Sequence, residues 1–372
     1  MIDLTQAFST SYGGARRRFL EAAAAAGLHL ASFAHPLRGI EGEDLALDVA
    51  YAPAVSDPGA AAERPERLLI VSSACHGIEG YCGSGVQVFA LHDAAWLEAA
   101  QAAGVSVLFL HALNPYGFSF GRRVTHENVD LNRNFQDFAQ PLPDNPEYRS
   151  LHPWLLPEHW PPDAAHEAGL QQWIRTHGGA AYQAAVTRGQ YEFPDGLFFG
   201  GHAPTWSHVT LRSVLRRWGR GAQRLAWIDL HTGLGPQGIG ERIFAGRNDP
   251  SAIARARRWW GPAVTSIYDG SSSSALLTGL MWNAAYEECP QAEYTGIALE
   301  YGTEPIEEVT EALRAEQWLH QHPEADATTA VAIRRRMRAA FYTETPEWKA
   351  QVVSQARQAL FQALDGLAHE QR

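Results

Sequence analysis

His76 and Glu79 lie three positions apart in Cys75-His76-Gly77-Ile78-Glu79-Gly80, directly after the apolar run Leu68-Leu69-Ile70-Val71-Ser72-Ser73. Where a buried strand opens into a turn, an imidazole nitrogen and a carboxylate oxygen at that spacing can aim at one point, so the pair reads as two ligands of a metal. Gly77 and Gly80 are expected to let the backbone turn between them. Cys75 is read as a core thiol: neighbouring side chains on an extended segment point to opposite faces, so Cys75 and His76 cannot easily reach the same ion.

Other polar residues follow apolar runs in the same way. Leu225-Ala226-Trp227-Ile228-Asp229-Leu230 leads to His231, and Gly296-Ile297-Ala298-Leu299 leads to Glu300. Val105-Ser106-Val107-Leu108-Phe109-Leu110 runs into a turn at Asn114-Pro115. Such runs read as buried parallel strands, and open α/β sheets bind ligands at the carboxyl edge. His76, Glu79 and His231 would give one zinc ion three protein ligands and leave a position for water, with Glu300 as the carboxylate that takes the water's proton.

The elements that must position these residues follow from pattern. Ser11 to Gly27 reads as a helix closed by glycine, and Leu45 to Tyr51 alternates as a strand. Pro53 to Pro65 is a polar loop, and Ser84 to about Ala103 reads as a helix capped by Ser84 that joins two parallel strands. Residues 136–200, rich in Pro, Trp and His, are expected to be an insertion packed around the site, with one helical piece from Ala164 to Val186. His152, His159, His166 and His177 within it follow no core strand and are read as packing or surface residues. Pro250 to Trp260, Ile306 to Leu319, Thr328 to Phe341 and Trp348 to Leu367 read as helices, and Ser271 to Ser274 as a flexible loop. The expected fold is α/β, one domain over residues 1–372 with a mixed, largely parallel sheet flanked by helices.

Composition bounds the function. With 372 residues, 45% of them hydrophobic, the chain can bury a sizeable core. A formal net charge of -11 argues against nucleic-acid or anionic-membrane surfaces, and the Arg groups at 16–18, 216–217 and 334–336 are expected to be solvated helix faces. Met1-Ile2-Asp3-Leu4-Thr5 carries no basic segment with an apolar core, and no run approaches the roughly 18 apolar residues of a membrane span. Three cysteines without zinc-finger spacing fit reduced thiols, so a cytoplasmic enzyme is expected.

The ordered set of motifs resembles the zinc carboxypeptidases of the carboxypeptidase A type and the related aspartoacylase and succinylglutamate desuccinylase enzymes. The resemblance runs from about residue 65 to 305: His76-x-x-Glu79, Asn114-Pro115, Arg122-Arg123, Asp130-Leu131-Asn132-Arg133, His231 and Glu300. It implies a zinc carboxypeptidase-like fold and one Zn2+ held by His76, Glu79 and His231, with Glu300 as general base. Asn132 and Arg133 would grip the substrate's carboxylate in bidentate fashion. Arg123, with Arg122 as its rival, would polarise the scissile carbonyl. Asp130 would accept a hydrogen bond from the first zinc histidine, and Asp229 could serve similarly or lie in the site wall. Tyr268, Tyr286 and Tyr294 are candidates for a tyrosine over the bound substrate, and the loop Tyr191 to Gly201 for a pocket wall.

The implied activity is hydrolysis of an amide beside a free carboxylate. A metallocarboxypeptidase acting on short peptides or peptide-like metabolites leads, an N-acyl amino acid deacylase is the alternative, and a non-catalytic zinc- or ligand-binding protein is the reading from another class.

Overall fold

The computed structural model describes residues 4–54 and 65–369. Residues 1–3 and most of the expected loop between Pro53 and Pro65 (55–64) lie outside the described residues. Seven strands form one sheet: β1 (His29–Arg38), β2 (Asp44–Ala52), β3 (Arg67–Ser73), β4 (Ser106–His111), β5 (Arg224–Gln237), β6 (Gly240–Phe244) and β7 (Glu293–Gly302). Their order is β1-β2-β4-β3-β5-β7-β6. The pairs β4-β3, β3-β5 and β5-β7 are parallel, whereas β1, β2 and β6 join antiparallel. This is the mixed sheet, parallel at its centre and flanked by helices, that the sequence leads one to expect.

The central strands are buried along almost their whole length, as sheets covered on both faces must be. One core joins Leu69, Val71, Phe109 and Ile228 to the helices Tyr12–Ala25, Gly80–Leu91 and Pro346–His369. Another joins Leu68, Ile70, Leu108 and Trp227 to the helix Trp206–Val214 and to Leu280 and Trp282.

Two strands escaped the pattern reading. β1 is an edge strand whose side chains are mostly exposed and which contains Pro36, so no apolar alternation marks it. β6 has only five residues. The expected helix from Ser84 to Ala103 is two helices, Gly80–Leu91 and Ala94–Ala102, the second capped by Asp93, whose side chain accepts from the Trp96 amide. Ser84 is no cap: its hydroxyl lies 2.9 Å from His111 Nε2. The helical piece expected over Ala164 to Val186 is likewise broken, into Ala164–His177 and Gly179–Thr187, at Gly178 with φ +90°. Of the Arg groups expected on solvated faces, Arg16 instead pairs at 2.7 Å with the buried Asp48.

No helix among the described residues is long and apolar enough to cross a membrane. Cys75, Cys82 and Cys289 are free and buried.

Candidate metal centre

His76 follows β3 and begins a tight turn, Gly77–Glu79, that leads into the helix Gly80–Leu91. The two glycines do not act as expected, since neither adopts a positive φ. They permit close approach instead. A Cβ at Gly77 would lie 2.1 Å from the Gly117 carbonyl carbon, and one at Gly80 would lie 2.5 Å from the Phe118 ring. The Gly77 and Ile78 amides donate to the Arg123 and Arg122 carbonyls at 3.0 and 2.8 Å, so the ligand turn is hydrogen-bonded to the arginine segment.

His231 and Glu300 come from the central strands. His231 on β5 pairs in register with Glu300 on β7, the last regular pair but one before the ladder is interrupted between Thr232 and Gln237. Both strands continue a little beyond these residues, so the ladder's interruption, more than the strand end itself, opens the rim there.

His76 Nδ1 lies 2.8 Å from Glu79 Oε1, His231 Nδ1 lies 2.9 Å from Glu79 Oε2, and the two Nδ1 atoms are 3.2 Å apart. All three residues are buried and form a triangle of donors able to hold one ion. Tetrahedral zinc with bonds of about 2.0–2.1 Å separates its ligand atoms by about 3.3 Å, so the set fits zinc in type and spacing. The surroundings of His231 suit the tautomer that a metal at Nδ1 requires. Its Nε2 makes a short contact with Asp229 Oδ2, which keeps a proton on that nitrogen and makes Nδ1 the one that a metal would take in place of its proton.

A second triangle, Cys75, Asp229 and His231, offers a thiol. Burial, aided by the charge of Asp229, pushes that thiol well above its ordinary range and keeps it protonated. Asp229 is engaged with His231 Nε2, so the His76 triangle is the better site.

The electrostatics match a cation position. Burial works to raise the Glu79 carboxyl, but His76 and His231 outweigh it and hold the carboxyl below its usual range. Burial works to lower His231, and Asp229 and Glu79 outweigh it and hold the imidazole well above its ordinary value. Glu300 is the converse case: burial first, then the Glu79 charge, push its carboxyl up to about 8. Its Oε1 accepts the Leu234 amide at 3.2 Å.

Arg123 lies against the triangle, with Nε donating to Asp130 Oδ2 at 3.0 Å and Nη1 to Glu79 Oε1 at 3.2 Å. Its Nη2 is 2.8 Å from His76 Nε2, whereas Asp130 Oδ1 is 3.4 Å from that nitrogen. For His76 to offer Nδ1 to a metal, Nε2 must carry the proton, which Asp130 can accept and a guanidinium cannot. Arg123 must then turn its Nη2 elsewhere, and it lines the cavity beside the triangle.

Arg122 faces away, which corrects its expected place among the substrate-binding residues. Its Nε donates to Glu316 at 2.6 Å and its Nη2 to Asn128 and Gln317, each at 3.1 Å, and it does not line the cavity. Adjacent side chains diverge, and the buried acid on the helix Ile306–Gln321 holds this one.

Asn132 and Arg133 line the same cavity as His76, His231 and Glu300. The Met281 amide donates to Asn132 Oδ1 at 3.1 Å, which leaves the Nδ2 donor for a ligand. Arg133 is fully buried, with Nε donating to the Thr187 carbonyl at 3.1 Å and Nη1 to the Asn132 carbonyl at 2.9 Å. Its closest carboxylate, Asp130, stands 3.9 Å away. Burial lowers its affinity for its proton, an unfavourable position that an anionic ligand would relieve.

Asn114 serves the site indirectly. It caps the helix Pro115–Phe120 through Oδ1, and its Nδ2 donates to the Arg123 carbonyl at 3.3 Å.

The space among these residues, counted together with the solvent open to it, is about 850 Å³. None of Tyr268, Tyr286 and Tyr294 lines it. Tyr268 donates to the Gly246 carbonyl and the Tyr286 hydroxyl accepts the Arg247 amide. From the loop Tyr191 to Gly201 only Phe198 reaches the wall, at φ +51°, with the Arg123 and Arg133 guanidinium carbons 5.0 and 5.6 Å from its ring centroid.

Pattern reading missed Gln183 and Thr187 of the inserted segment and Ser274 and Ala275 of the serine loop, all of which line the cavity. That loop is anchored, since the Ser273 amide donates to Glu241 at 3.1 Å. None of His152, His159, His166 and His177 lines the cavity.

Fold and site together define an α/β protein with a buried two-histidine, one-carboxylate centre at the rim of its sheet. The chain belongs to the family described as "Protein of unknown function (DUF2817)", whose model matches residues 8–355. No curated protein matches it. Among solved structures it is similar to bovine thrombin-activatable fibrinolysis inhibitor in complex with tick carboxypeptidase inhibitor, at 11% identity over 90% of this chain and 96% of that chain, TM-score 0.45. It is also similar to a metallo-carboxypeptidase from Burkholderia cenocepacia, at 12% identity over 87% of this chain and 66% of that one, TM-score 0.39. A third is murein-tripeptide amidase from Escherichia coli O157, at 12% identity over 82% and 91% of the two chains, TM-score 0.32.

Proposed function

We propose that this protein is a zinc-dependent hydrolase that cleaves an amide bond next to a free carboxylate, a metallocarboxypeptidase acting on short peptides. One observation carries the reading: two imidazole nitrogens and the two oxygens of Glu79 come within 2.8–3.2 Å of one another, and the two histidines share a cavity with an unliganded carboxylate in register with one of them and a weakly neutralised buried arginine.

A zinc ion held by His76, Glu79 and His231 would supply Lewis-acid activation of water and of the amide carbonyl. Glu300 takes the water's proton and passes it to the leaving nitrogen, a task suited to a carboxyl raised toward neutral pH. Arg123, turned from His76 toward the cavity, stabilises the negative charge that develops on the carbonyl oxygen. Arg133 and Asn132 Nδ2 hold the substrate carboxylate and so set which amide meets the base. Asp229 fixes the His231 tautomer, and Asp130 is placed to do the same for His76. The whole described chain, including the inserted segment that supplies Gln183 and Thr187, acts in this reading as a single catalytic domain.

A second reading, an N-acyl amino acid deacylase, is favoured by the apolar lining that Ile306, Val309, Leu313 and Phe341 give the cavity. The test is a panel of C-terminal dipeptides and N-acyl amino acids with the zinc-loaded protein. Activity confined to the acyl set would retire the peptidase reading. A protein that binds no zinc and cuts nothing in either set would retire both in favour of a non-catalytic binder.

A further inference from the structure

Behind His231 a line of buried polar groups runs away from the cavity into the sheet. Trp227, Asp229 and His231 alternate along β5 and so share one face of it. Ser72 on β3 is the register partner of Asp229. Trp227 Nε1 donates to Ser72 Oγ at 2.7 Å, Ser72 Oγ donates to Asp229 Oδ1 at 2.5 Å, and Asp229 Oδ2 is in short contact with His231 Nε2. All four side chains are buried.

The groups themselves fix the direction of each bond. An indole N–H can only donate and a carboxylate can only accept, so Ser72 must accept from Trp227 and direct its single proton to Asp229. Oδ1 is thereby occupied, and Oδ2 is the oxygen left for His231. Among the described residues Ser72 and His231 are the two side chains that hydrogen-bond the Asp229 carboxylate, and no arginine or lysine pairs with it. Without Ser72 this buried carboxylate would keep one of its two bonds and be free to turn.

The far end of the line is rigid. Trp227 packs in the core with Leu68, Ile70 and Leu108, so its N–H has a fixed place. His76 has no such backing, since its Nε2 lies 3.4 Å from Asp130 Oδ1 and 2.8 Å from Arg123 Nη2. The two histidines are unequally held, and His231 is the one tied to the core.

We infer that Ser72 and Trp227 are positioning residues of the metal centre: they lock the Asp229 carboxylate on His231 and so preset the ring of one ligand before an ion arrives. The inference rests on the reading of His76, Glu79 and His231 as ligands of one zinc ion. It does not depend on which bond is cleaved.

The test is zinc affinity, by competition with a chelating dye, together with the visible spectrum of the cobalt(II)-loaded protein, neither of which needs turnover. Ser72→Ala, which removes only the hydroxyl, should weaken zinc binding about tenfold and shift the cobalt bands, as expected for a group that orients a ligand. Trp227→Phe, read by itself should Ser72→Ala fail to fold, should weaken binding about threefold with Ser72 present and have no further effect in Ser72→Ala, because it acts through that hydroxyl. Ser73→Ala is the control. Ser73 faces the other way and donates to Gln87 Oε1 at 2.9 Å, so this variant should lose stability and keep both metal readouts.

Natural zinc affinity with an unshifted cobalt spectrum in Ser72→Ala and Trp227→Phe, losses that add in the double variant, or an equal loss in Ser73→Ala would overturn the inference. Turnover by the natural chain is scored separately. The expected variant losses without hydrolysis of any amide would retire the hydrolase and keep the positioning role, hydrolysis with unaffected variants would do the reverse, and a natural chain that binds neither ion would overturn both.

Discussion

His231 and Glu300 are register partners on the parallel strands β5 and β7, so a histidine nitrogen and a free carboxylate stand on neighbouring strands about 4.8 Å apart. In the proposed reading the pair brings a metal ligand and a proton acceptor together through backbone hydrogen bonding alone. Neither residue depends on a loop for its position, and such placement favours a preorganised site.

Because Glu300 is in none of the ligand contacts, Glu300→Gln should keep bound zinc near one equivalent per chain and lower kcat by about 10²–10⁴-fold. Metal analysis and steady-state kinetics on the same preparation check both halves. Full turnover would remove Glu300 as the base.

Asp229 holds the proton of His231 Nε2 and leaves Nδ1 toward the triangle. Asp229→Asn should weaken zinc binding about 10–100-fold while the fold survives. Competition with a chelating dye measures the change, and an unaltered zinc affinity would make Asp229 a wall residue only.

The two buried arginines Arg133 and Arg122 should separate by phenotype. Arg133→Ala should lower kcat/KM about 10–100-fold for substrates with a free carboxylate and leave their amide-capped analogues unaffected, the loss expected for charge-assisted hydrogen bonds. Arg122→Ala removes a partner of Glu316 in a buried pair, and its effect should fall on folding, at about 3–5 kcal/mol. Urea unfolding and kinetics on both variants test the assignment, and a substrate effect confined to Arg122→Ala would reverse it.

His111 gives the chain a pH dependence independent of the centre. Burial lowers its value from 6.5 to about 4, its Nε2 meets Ser84, and its ring stacks on Phe19. With the folded value below the unfolded one, the unfolded chain takes up the proton first. The contribution is therefore fully present above about pH 6.5 and lost as pH falls toward 4, up to about 3 kcal/mol. Urea unfolding at pH 7.5 and 5 should show a steeper loss for the natural chain than for His111→Gln, and equal losses would sink the assignment.

Gly77→Ala tests the close approach of the ligand turn to Gly117. A Cβ 2.1 Å from a backbone carbon forces the turn outward, so the substitution should cost about 1–3 kcal/mol and weaken zinc binding as well. A variant with natural stability and zinc affinity would show that the two segments can separate freely.

Much of this architecture was legible in the chain. The continuous apolar runs at 68–71, 107–110, 225–228 and 297–299 lie in β3, β4, β5 and β7, because strands covered on both faces need apolar side chains at every position. The polar residues that follow them meet at one rim because parallel strands end on the same side. The spacing His76-x-x-Glu79 and the segment Asp130 to Arg133 are local patterns, set by the short turns that carry them.

Other features needed the folded chain. β1 and β6 lack an apolar alternation of their own and are held by the strands they join. The choice between Arg122 and Arg123 follows from Glu316, far along the sequence, which binds one and leaves the other to the cavity. The work of Gly77 and Gly80 is a packing distance to residues 117 and 118, and no torsion at those glycines reveals it. The apolar walls join Ile243, Leu280, Val309 and Phe341, which no sequence spacing relates. Local pattern determined which residues could bind a metal and move a proton, because strand and turn geometry act over a few residues. Tertiary packing decided which charges were left unpaired and what surrounds the reacting bond, because burial and long-range pairing depend on segments the chain brings together only when folded.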